Sequence, residues 1–369
     1  MGLHLIPDTL NIDFVGIRRY AYVVSVLLIL AGLASFIYTG GPRYGIDFAG
    51  GAVVQVKFAQ PVSDEHLKQA LDGSALPGLV VQSYGTDGTD YVLRIAAMSE
   101  SADGLSKTVN DALSAGLGGT GYEIMRLEMV GPKVGADLRA QALEALYYAI
   151  LLISIYVSGR FERRWFTAGF IALVLGASTF GLSRFGLDRI FLVPVAVSLT
   201  LLLCWRFKLV FAIGSVVSIL HDVLITAGLY ALCGREFDLT TIAALLTVVG
   251  YSLNDTIIVY DRIRENLRSD IVTPLGTVIN RSINQTMSRT VLTSGTTLIA
   301  VLALLIFGGG VIFDFALAVF IGVFMGTTSS IFIASPILLA MSADINREDF
   351  RPGKDTRARD ADGRLAARV

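Results

Sequence analysis

Four ionisable side chains lie in or beside long apolar stretches of the sequence: Asp222, Asp255, Arg289 and Asp314. Asp255 is the clearest case, because it follows Asn254 inside an apolar run that begins near Thr240. A charged side chain in hydrocarbon costs about 2.5–3.5 kcal/mol on insertion scales, so it is retained mostly where it faces a bundle interior and performs a task. The sequence therefore predicts proton or ion handling at Asp255.

Helix geometry places Asp222 and Asp255, the two aspartates within apolar runs, at different depths in the membrane. Counting about 1.5 Å of rise per residue, Asp222 lies roughly 21 Å from Lys208, which we assign to the inner surface. By the same count Asp255 lies roughly 9 Å from Asp261, also at the inner surface. We therefore expect Asp222 deep in the membrane and Asp255 in its inner half. Asp314 follows a glycine-rich stretch that reads as an outer turn, where we expect it to be solvated.

Three of these side chains also have a plain structural interpretation. Asp255 could serve as a cap or in an ion pair, but the polar neighbour Asn254 favours function. Asp222 is equally well explained as a buried residue that pairs with His221 or with a neighbouring helix. Arg289 begins the next apolar run, where it either pairs with a carboxylate or anchors the helix at the inner surface. Sequence patterns alone leave the role of Arg289 open.

Composition places the chain among polytopic membrane proteins. Of 369 residues, 53% are hydrophobic and 17% are charged, with a mean hydropathy of +0.64, which is too apolar for a soluble enzyme. The net charge of −1 excludes a nucleic-acid binder built on a general basic surplus. Cys204 and Cys233 lack CxxC spacing, so we expect no metal centre and no cofactor. No phosphate loop or nucleophile elbow occurs, which predicts a transport component rather than an enzyme.

The first third of the chain predicts one membrane helix followed by an outer domain. Residues 1–20 are polar and are expected in the cytoplasm, and residues 21–38 form an uncharged run long enough to span as an uncleaved helix. Residues 39–137 have the composition of a soluble domain and therefore emerge outside. Alternating and helical patterns within them predict the order βαββαβ, which is that of a ferredoxin-like α+β domain.

Residues 138–340 are predicted to form a membrane-embedded helical bundle. Their apolar runs lie near 140–158, 166–183, 190–205, 209–232, 240–260, 290–307 and 315–340. With the first helix these runs make eight spans. Basic residues cluster in alternate loops, as the positive-inside rule requires, so both termini are expected in the cytoplasm. Residues 261–288 are polar enough to predict a cytoplasmic connector with an amphipathic helix near the membrane surface.

Two of the eight spans look like an insertion. Arg160-Phe161-Glu162 is echoed by Arg206-Phe207-Lys208, and each copy lies between two apolar runs. The simplest account is a duplicated membrane hairpin, which we assign to about 160–205. Residues 190–205 are short for a span and contain Pro194, so a re-entrant hairpin is the alternative. The tail, 341–369, is rich in charge and poor in large apolar residues, which predicts disorder.

Five motifs together resemble those of the SecF family, which belongs to the resistance-nodulation-division superfamily. The segments in question are Gly45-Ile46-Asp47-Phe48-Ala49-Gly50-Gly51, Val130-Gly131-Pro132-Lys133-Val134-Gly135, His221-Asp222-Val223, the run from Gly250 to Asn266 that contains Asn254-Asp255-Thr256, and the run from Arg289 to Thr297. They occur in the family's order and cover most of residues 20–340. Two features depart from the family: Ala49 replaces a commoner Thr, and the family has six spans. Gly50 and Gly51 also have a structural explanation, since glycine permits close backbone approach at the start of a strand.

The resemblance implies a function and a set of partners. In the SecF family, the Asp and Arg that match Asp255 and Arg289 are linked to proton transport. Together with SecD, the family's members use proton flow to drive late stages of protein export through the SecYEG channel. The implied partners are SecD, SecYEG, translocating preproteins, SecA, YajC and the lipid bilayer, and the implied location is the bacterial inner membrane. Two rivals remain: half of a proton-driven efflux transporter, which usually has larger outer domains, and a membrane receptor with an outer sensing domain.

Overall fold

A computed structural model describes residues 11–345, apart from residues 73, 75, 85–87, 97–101, 118–120, 163, 185–188 and 271. Half of the predicted cytoplasmic segment 1–20, and nearly all of the tail predicted to be disordered, therefore lie outside the described residues. In chain order the first part of the chain consists of α1 (Phe14–Tyr38), α2 (Ile46–Ala49), β1 (Gly51–Phe58), α3 (Asp64–Leu71), β2 (Val80–Tyr84), β3 (Asp90–Ile95), α4 (Ala102–Gly116) and β4 (Tyr122–Val130). The elements from α2 to β4 form the domain that the sequence predicts to lie outside the membrane, and they are called the outer domain.

The rest of the described chain is helical. It comprises α5 (Pro132–Glu162), α6 (Trp165–Arg184), α7 (Arg189–Arg206), α8 (Val210–Leu232), α9 (Leu239–Ser269), α10 (Leu275–Phe307), α11 (Gly309–Ser329), a π-helix (Ser330–Ala334), α12 (Ser335–Ala340) and a 3₁₀ turn (Ser342–Asp344). Six helices in the described part are long and apolar enough to cross a membrane: α1, α5, α8, α9, α10 and the segment Ile312–Ala340. The sequence predicts eight such spans. The apolar parts of α6 and α7, Trp165–Ala177 and Val193–Arg206, are shorter than the roughly 20 residues that a spanning helix needs.

The predicted surface connector over 261–288 is wrong. α9 continues to Ser269 and α10 begins at Leu275, so only residues 270–274 join the two helices. The polar residues in this region pair across the two helices instead of facing a membrane surface: the Asn266 amide donates to the Ser282 hydroxyl and to Gln285, each at 2.8 Å. These hydrogen bonds, with buried Ile263 and Leu267 beside them, extend the bundle inward.

The outer domain folds around a core of its own. Its sheet has the order β2-β3-β1-β4 with every neighbouring pair antiparallel, and its elements follow in the β-α-β-β-α-β order that the sequence predicts. Alternate side chains of β1 and β3, such as Val54, Val56 and Leu93, pack with Leu67 of α3 and Val109 of α4. The opposite face of the sheet is left uncovered by α3 and α4. The short helix α2 has no counterpart in the sequence prediction.

The outer domain meets the membrane helices at the glycine pair. Gly50 has φ +77° and ψ 160°, and Gly51 has φ +133°, both outside the range that other residues readily adopt. A Cβ on Gly50 would lie 2.9 Å from Pro132 Cα, and one on Gly135 would lie 3.1 Å from the Gly50 nitrogen. The segment at Gly50 therefore packs directly against the start of α5, and glycine is required for that contact.

Replacing Gly50 by Ala should destabilise this joint by about 1–3 kcal/mol, because the added Cβ clashes and the backbone conformation is almost exclusive to glycine. Thermal unfolding of the purified protein in detergent measures the effect. Gly131→Ala is the matched control, since a Cβ there meets nothing within 4 Å. Equal losses of stability in the two variants would contradict the packing argument.

Candidate functional site

Asp255 is fully buried where α9, α10 and α11 meet. Its exposed fraction is 0%, and its Oδ2 accepts a hydrogen bond from the Ser294 hydroxyl of α10 at 3.1 Å. Thr327 of α11 donates in turn to the Ser294 hydroxyl at 2.7 Å. The other carboxylate oxygen, Oδ1, has no hydrogen-bond partner among the described residues. The carboxylate is thus hydrogen-bonded through Oδ2 alone. Its Oδ1 side, which lacks a partner among the described residues, is called the open side.

Asn254, the polar neighbour singled out in the sequence, is not part of this cluster. Its side chain is exposed, whereas Asp255 and Thr256 are buried. Successive residues of an α-helix point about 100° apart, so one residue can face the bundle while the preceding one faces away. The structure therefore brings Asp255 to the site and leaves Asn254 outside it.

Asp222 is the centre of a second buried cluster. Its Oδ2 accepts hydrogen bonds from Ser252 of α9 at 2.5 Å and from Ser329 of α11 at 2.7 Å. Its Oδ1 lies 2.9 Å from Nδ1 of His221, whose Nε2 lies 2.8 Å from the Ser25 hydroxyl of α1. Asp222 is also 0% exposed, so it ties four helices together in the bundle interior. The pairing with His221, one of the two interpretations left open by the sequence, is present.

The two clusters share α9 and α11, which pack unusually closely. Ser252 precedes Asp255 by three residues and lies on the same face of α9. A Cβ on Gly326 would lie 2.8 Å from the Ser252 Cβ, and one on Gly322 would lie 2.1 Å from Val248 Cγ2. The two glycines let α11 approach α9 closely enough for Ser329 to bond to Asp222 and for Thr327 to bond to Ser294, the partner of Asp255.

Arg289 does not pair with Asp255 in this conformation. Its side chain is exposed near the middle of α10, within electrostatic range of Asp255, but among the described residues no ion pair joins it to a carboxylate. It precedes Ser294 by five residues, which corresponds to about 7.5 Å along the helix axis. A direct contact between Arg289 and Asp255 therefore requires a movement of the side chain or of α10.

The expectation that Asp314 is simply solvated in an outer turn is wrong. α10 ends at Phe307 and α11 starts at Gly309, so Asp314 lies within a helix, and its side chain is 29% exposed. It forms an ion pair with Arg235 at 3.2 Å, and the Arg235 guanidinium lies 4.7 Å from the centre of the Phe313 ring. The short connection around Gly308 leaves no room for the predicted turn, and the carboxylate finds a cation on the preceding helix hairpin instead.

The outer joint connects the glycine-pair segment to the start of α9. The Gly45 N–H donates to Phe237 O at 2.8 Å, and the Phe237 N–H donates to Arg43 O at 2.7 Å. Asp47 Oδ2 accepts from the Leu239 N–H, the first of α9, at 3.0 Å. Asp238 caps the same helix end by accepting from the Thr241 N–H at 2.7 Å.

An ion pair between β3 and the α8–α9 loop reinforces this joint. Arg94 pairs with Glu236, and burial lowers the pKa of Arg94. A cleft of about 370 Å³ opens beside the pair, between the uncovered sheet face and the outer end of the bundle, and its walls include Gln55, Arg126 and Asp314. The described residues contain no group of three or more His, Cys, Asp or Glu side chains that could hold a metal.

Comparison with known proteins places this architecture. A family profile described as "Protein export membrane protein SecD/SecF, C-terminal" matches residues 111–182 and 183–344, and one described as "SecD/SecF GG Motif" matches residues 35–62. The protein translocase subunit SecF of Desulfurispirillum indicum is 38% identical over 337 residues, which is 89% of this chain and 91% of that protein. The SecF of Magnetococcus marinus is 39% identical over 341 residues, covering 92% and 94% respectively.

The chain belongs to the SecF family of protein translocase subunits. A crystal structure of SecDF from Thermus thermophilus, a translocon-associated membrane protein, matches with a TM-score of 0.66 and 32% identity. A second, SecDF in its super-membrane-facing form, matches with a TM-score of 0.55 and 33% identity. Each match covers 93% of this chain but 40% of the SecDF chain, so this SecF-family chain corresponds to less than half of those structures.

The sequence analysis of this SecF-family chain did not identify the hydroxyls that bond to the two carboxylates. Ser252, Ser294 and Ser329 bond to them directly, whereas Ser25 and Thr327 bond to the partners His221 and Ser294. Isolated Ser and Thr in apolar helices commonly bond to their own backbone, so their presence alone carries little signal. The spacing of Ser252 and Asp255 was the one usable hint, since residues three apart share a helix face.

Replacing Gly326 by Ala should separate α9 from α11 and destabilise the bundle by about 1–3 kcal/mol, because the added methyl overpacks a close contact. Gly295→Ala is the matched control within a neighbouring helix, since a Cβ there meets nothing within 4 Å. Thermal melting of the two purified variants compares them. A Gly326→Ala protein that melts with Gly295→Ala would show that the close approach of the helices is not needed.

Proposed function

We propose that this SecF-family chain, together with a SecD subunit, couples the proton gradient to late stages of polypeptide export through the SecYEG channel. The observation that carries the proposal is the Asp255 carboxylate, which is fully buried in a helical bundle with one oxygen bonded only to Ser294 and the other unpartnered among the described residues. An intramembrane carboxylate of this kind marks ion or proton pathways. The naming of the relatives as protein translocase subunits supports the export role.

Arg289 is proposed as the group that alternates with Asp255 in a coupling cycle. A buried carboxylate without a cation favours the neutral, protonated form, whereas an approaching guanidinium favours the ionised form. Movement of Arg289 toward Asp255 would therefore release the proton, and withdrawal would allow reloading. Arg289 is exposed and forms no ion pair with Asp255 in the described part of the chain, although it lies within electrostatic range, which fits the withdrawn half of this cycle.

Asp222 is the secondary candidate for proton transport. Its two oxygens are bonded to Ser252, Ser329 and His221, so it lacks the open side that Asp255 has. This arrangement favours a positioning role, in which Asp222 fixes the face of α9 that also carries Asp255. Asn254 is retained only as a neighbour of the pathway, since its side chain points away from the carboxylate.

The outer domain is proposed to be the mechanical contact with the exported polypeptide. α9 begins at the joint with Asp47 and carries Asp255 16 residues later, about 24 Å along its axis. A displacement of α9 driven at Asp255 would therefore reach the joint and, through Arg94 and Glu236, the sheet. We infer a ferredoxin-like fold for this domain, which the antiparallel order β2-β3-β1-β4 supports.

We further propose that α6 and α7 form an added membrane hairpin, giving eight spans with both termini in the cytoplasm of a bacterial inner-membrane protein. The Glu162 carboxylate accepts the Phe211 N–H at 2.9 Å, and the Phe161 and Phe211 rings stack 5.4 Å apart. The end of α5 thus contacts the start of α8, although the hairpin separates them in sequence. Because α5 and α8 contact each other directly, the bundle closes without α6 and α7, which supports the interpretation of this hairpin as an insertion.

Among partners, SecD is the best supported, because the solved structures that match this chain are of SecDF. The SecYEG channel and translocating preproteins follow from the proposed activity, and SecA, YajC and bilayer lipids complete the set without a specific contact to support them. An efflux role is less well supported, since the outer domain has roughly 95 residues of chain.

Asp255→Asn should abolish proton-dependent export while leaving the protein stable, because Asn keeps the size of the side chain and can still accept from Ser294 but cannot carry a proton. The measurement is proton-gradient-driven export in vesicles that contain SecD, the channel and each variant at equal abundance. Asp222→Asn serves as the internal comparison and should lose less activity. Full export by Asp255→Asn would overturn the proposed mechanism.

In the same vesicles, Arg289→Lys should impair export if Arg289 pairs with a carboxylate, because Lys keeps the charge and loses the planar multi-donor group. A nearly silent Arg289→Lys would identify Arg289 as a simple anchor of α10.

Single cysteines should establish the orientation. Gly88→Cys in the outer domain should react with a membrane-impermeant maleimide from outside, and Arg268→Cys at the inner end of α9 only after the membrane is opened. A reporter at Gly186, which lies outside the described residues, should also be external if α6 and α7 both span. An internal reporter would replace the two added spans by a re-entrant or surface segment.

A further inference from the structure

A second carboxylate with an open side lies at the inner end of the bundle. Glu162 closes α5, and its Oε1 accepts the N–H of Phe211 in the first turn of α8 at 2.9 Å. Its Oε2 is buried and has no hydrogen-bond partner in the described part of the chain. The function proposed above does not use this group.

Two buried hydroxyls lie on the same stretches of α5 and α8 as Glu162 and its partner Phe211. Ser158 lies beside the carboxylate, one turn earlier on α5, and Ser215 lies one turn after Phe211 on α8; each is 1% exposed. Neither hydroxyl has a hydrogen-bond partner among the residues that the structure describes. The Tyr260 hydroxyl of α9 lies close to Ser215 and donates to Ala334 O at 3.1 Å.

Water is the ligand that such a cluster fits. Leaving a buried polar group unsatisfied costs about 1–3 kcal/mol, and a buried water typically bonds to two to four polar partners. Glu162 Oε2 and the adjacent Ser158 hydroxyl supply two such groups, and the Ser215 hydroxyl beside Tyr260 supplies a third. Tyr260 follows Asp255 by five residues on the same helix, about 7.5 Å along its axis, so the cluster lies on the inner side of Asp255.

We propose that Glu162, Ser158 and Ser215 bind water in an inner site where the Glu162 carboxylate takes up and releases protons between Asp255 and the cytoplasm. Because Tyr260, beside the site, lies about 7.5 Å along α9 from Asp255, more than one water molecule must carry the proton from Asp255 to the Glu162 carboxylate. From there it passes to bulk water at the inner surface. The inference rests on the proposed proton coupling, which it extends by naming the inner exchange group.

Several charged and titratable groups lie around Glu162. Positive charge comes from Arg164, from exposed Arg206 and Lys208, from Arg160 paired with Asp261 at 3.0 Å, and from Arg264, which donates to Arg160 O at 3.1 Å. Buried Cys204 of α7 and Tyr260 of α9 face the carboxylate without a positive charge. Arg163 lies outside the described residues.

A purely structural role makes a different prediction. If Glu162 only joins α5 to α8, Glu162→Gln should be silent, because the Gln carbonyl oxygen still accepts the Phe211 N–H. If Glu162 exchanges protons, the same variant should keep its stability and lose most of the proton-driven export rate. Glu265→Gln is the matched control, since the Glu265 side chain is 69% exposed at the same end of the bundle.

Infrared spectroscopy separates this proposal from the coupling function. The full chain in vesicles should show a carboxylic acid C=O absorption that appears as pH falls, with one component missing in Glu162→Gln and a different one missing in Asp255→Asn. Ser158→Ala keeps both the carboxylate and its bond to Phe211, so it should shift the Glu162 component, and this holds even if Glu162→Gln fails to fold. A Glu162→Gln protein with normal export would overturn the proposal, as would an unshifted Ser158→Ala spectrum. Loss of the Glu162 component together with normal export by Asp255→Asn would instead refute the coupling function and leave the inner site standing.

Discussion

The need to satisfy carboxylates inside an apolar bundle governs the arrangement of the helices. Asp222 and Asp255 are both fully buried, and in hydrocarbon a polar group must find its partners within the protein. Those partners are hydroxyls on neighbouring helices, which reach only a few ångström from the backbone. Close helix packing is therefore a condition for the site, and Gly322 and Gly326 provide it where α11 meets α9.

α9 connects the chemistry to the outer domain. Its first N–H is held by Asp47, its middle carries Ser252 and Asp255, and its inner end bonds to α10 through Asn266. A continuous helix of 31 residues joins these points. The glycine pair at Gly50 and Gly51 has a complementary role, because it lets the outer domain pack against both α5 and the segment that precedes α9. The outer domain and the buried carboxylates are thus connected through one helix.

The contact between Glu162 and the start of α8 brings the two ends of the α6–α7 hairpin together. α5 ends and α8 begins within side-chain reach, with Phe161 stacked on Phe211, so α6 and α7 leave and return at nearly the same place. A hairpin inserted at such a point adds surface at the periphery and disturbs few internal contacts. The same contact places an acidic group at the inner end of the bundle, next to the helix that carries Asp255.

The sequence by itself determined the class of protein, the order of strands and helices in the outer domain, and the presence of an ionisable residue, Asp255, inside an apolar helix. These features follow from local patterns: long apolar runs, alternation with a period of two, and a charge where hydrocarbon is expected. Only the tertiary structure decided that Asn254 faces away, that Asp314 pairs with Arg235, that α9 and α10 continue through the predicted connector, and that scattered Ser and Thr residues hold the carboxylates. Each of these depends on which faces of distant helices meet, and the packing of side chains across helices sets that contact, which no local pattern encodes.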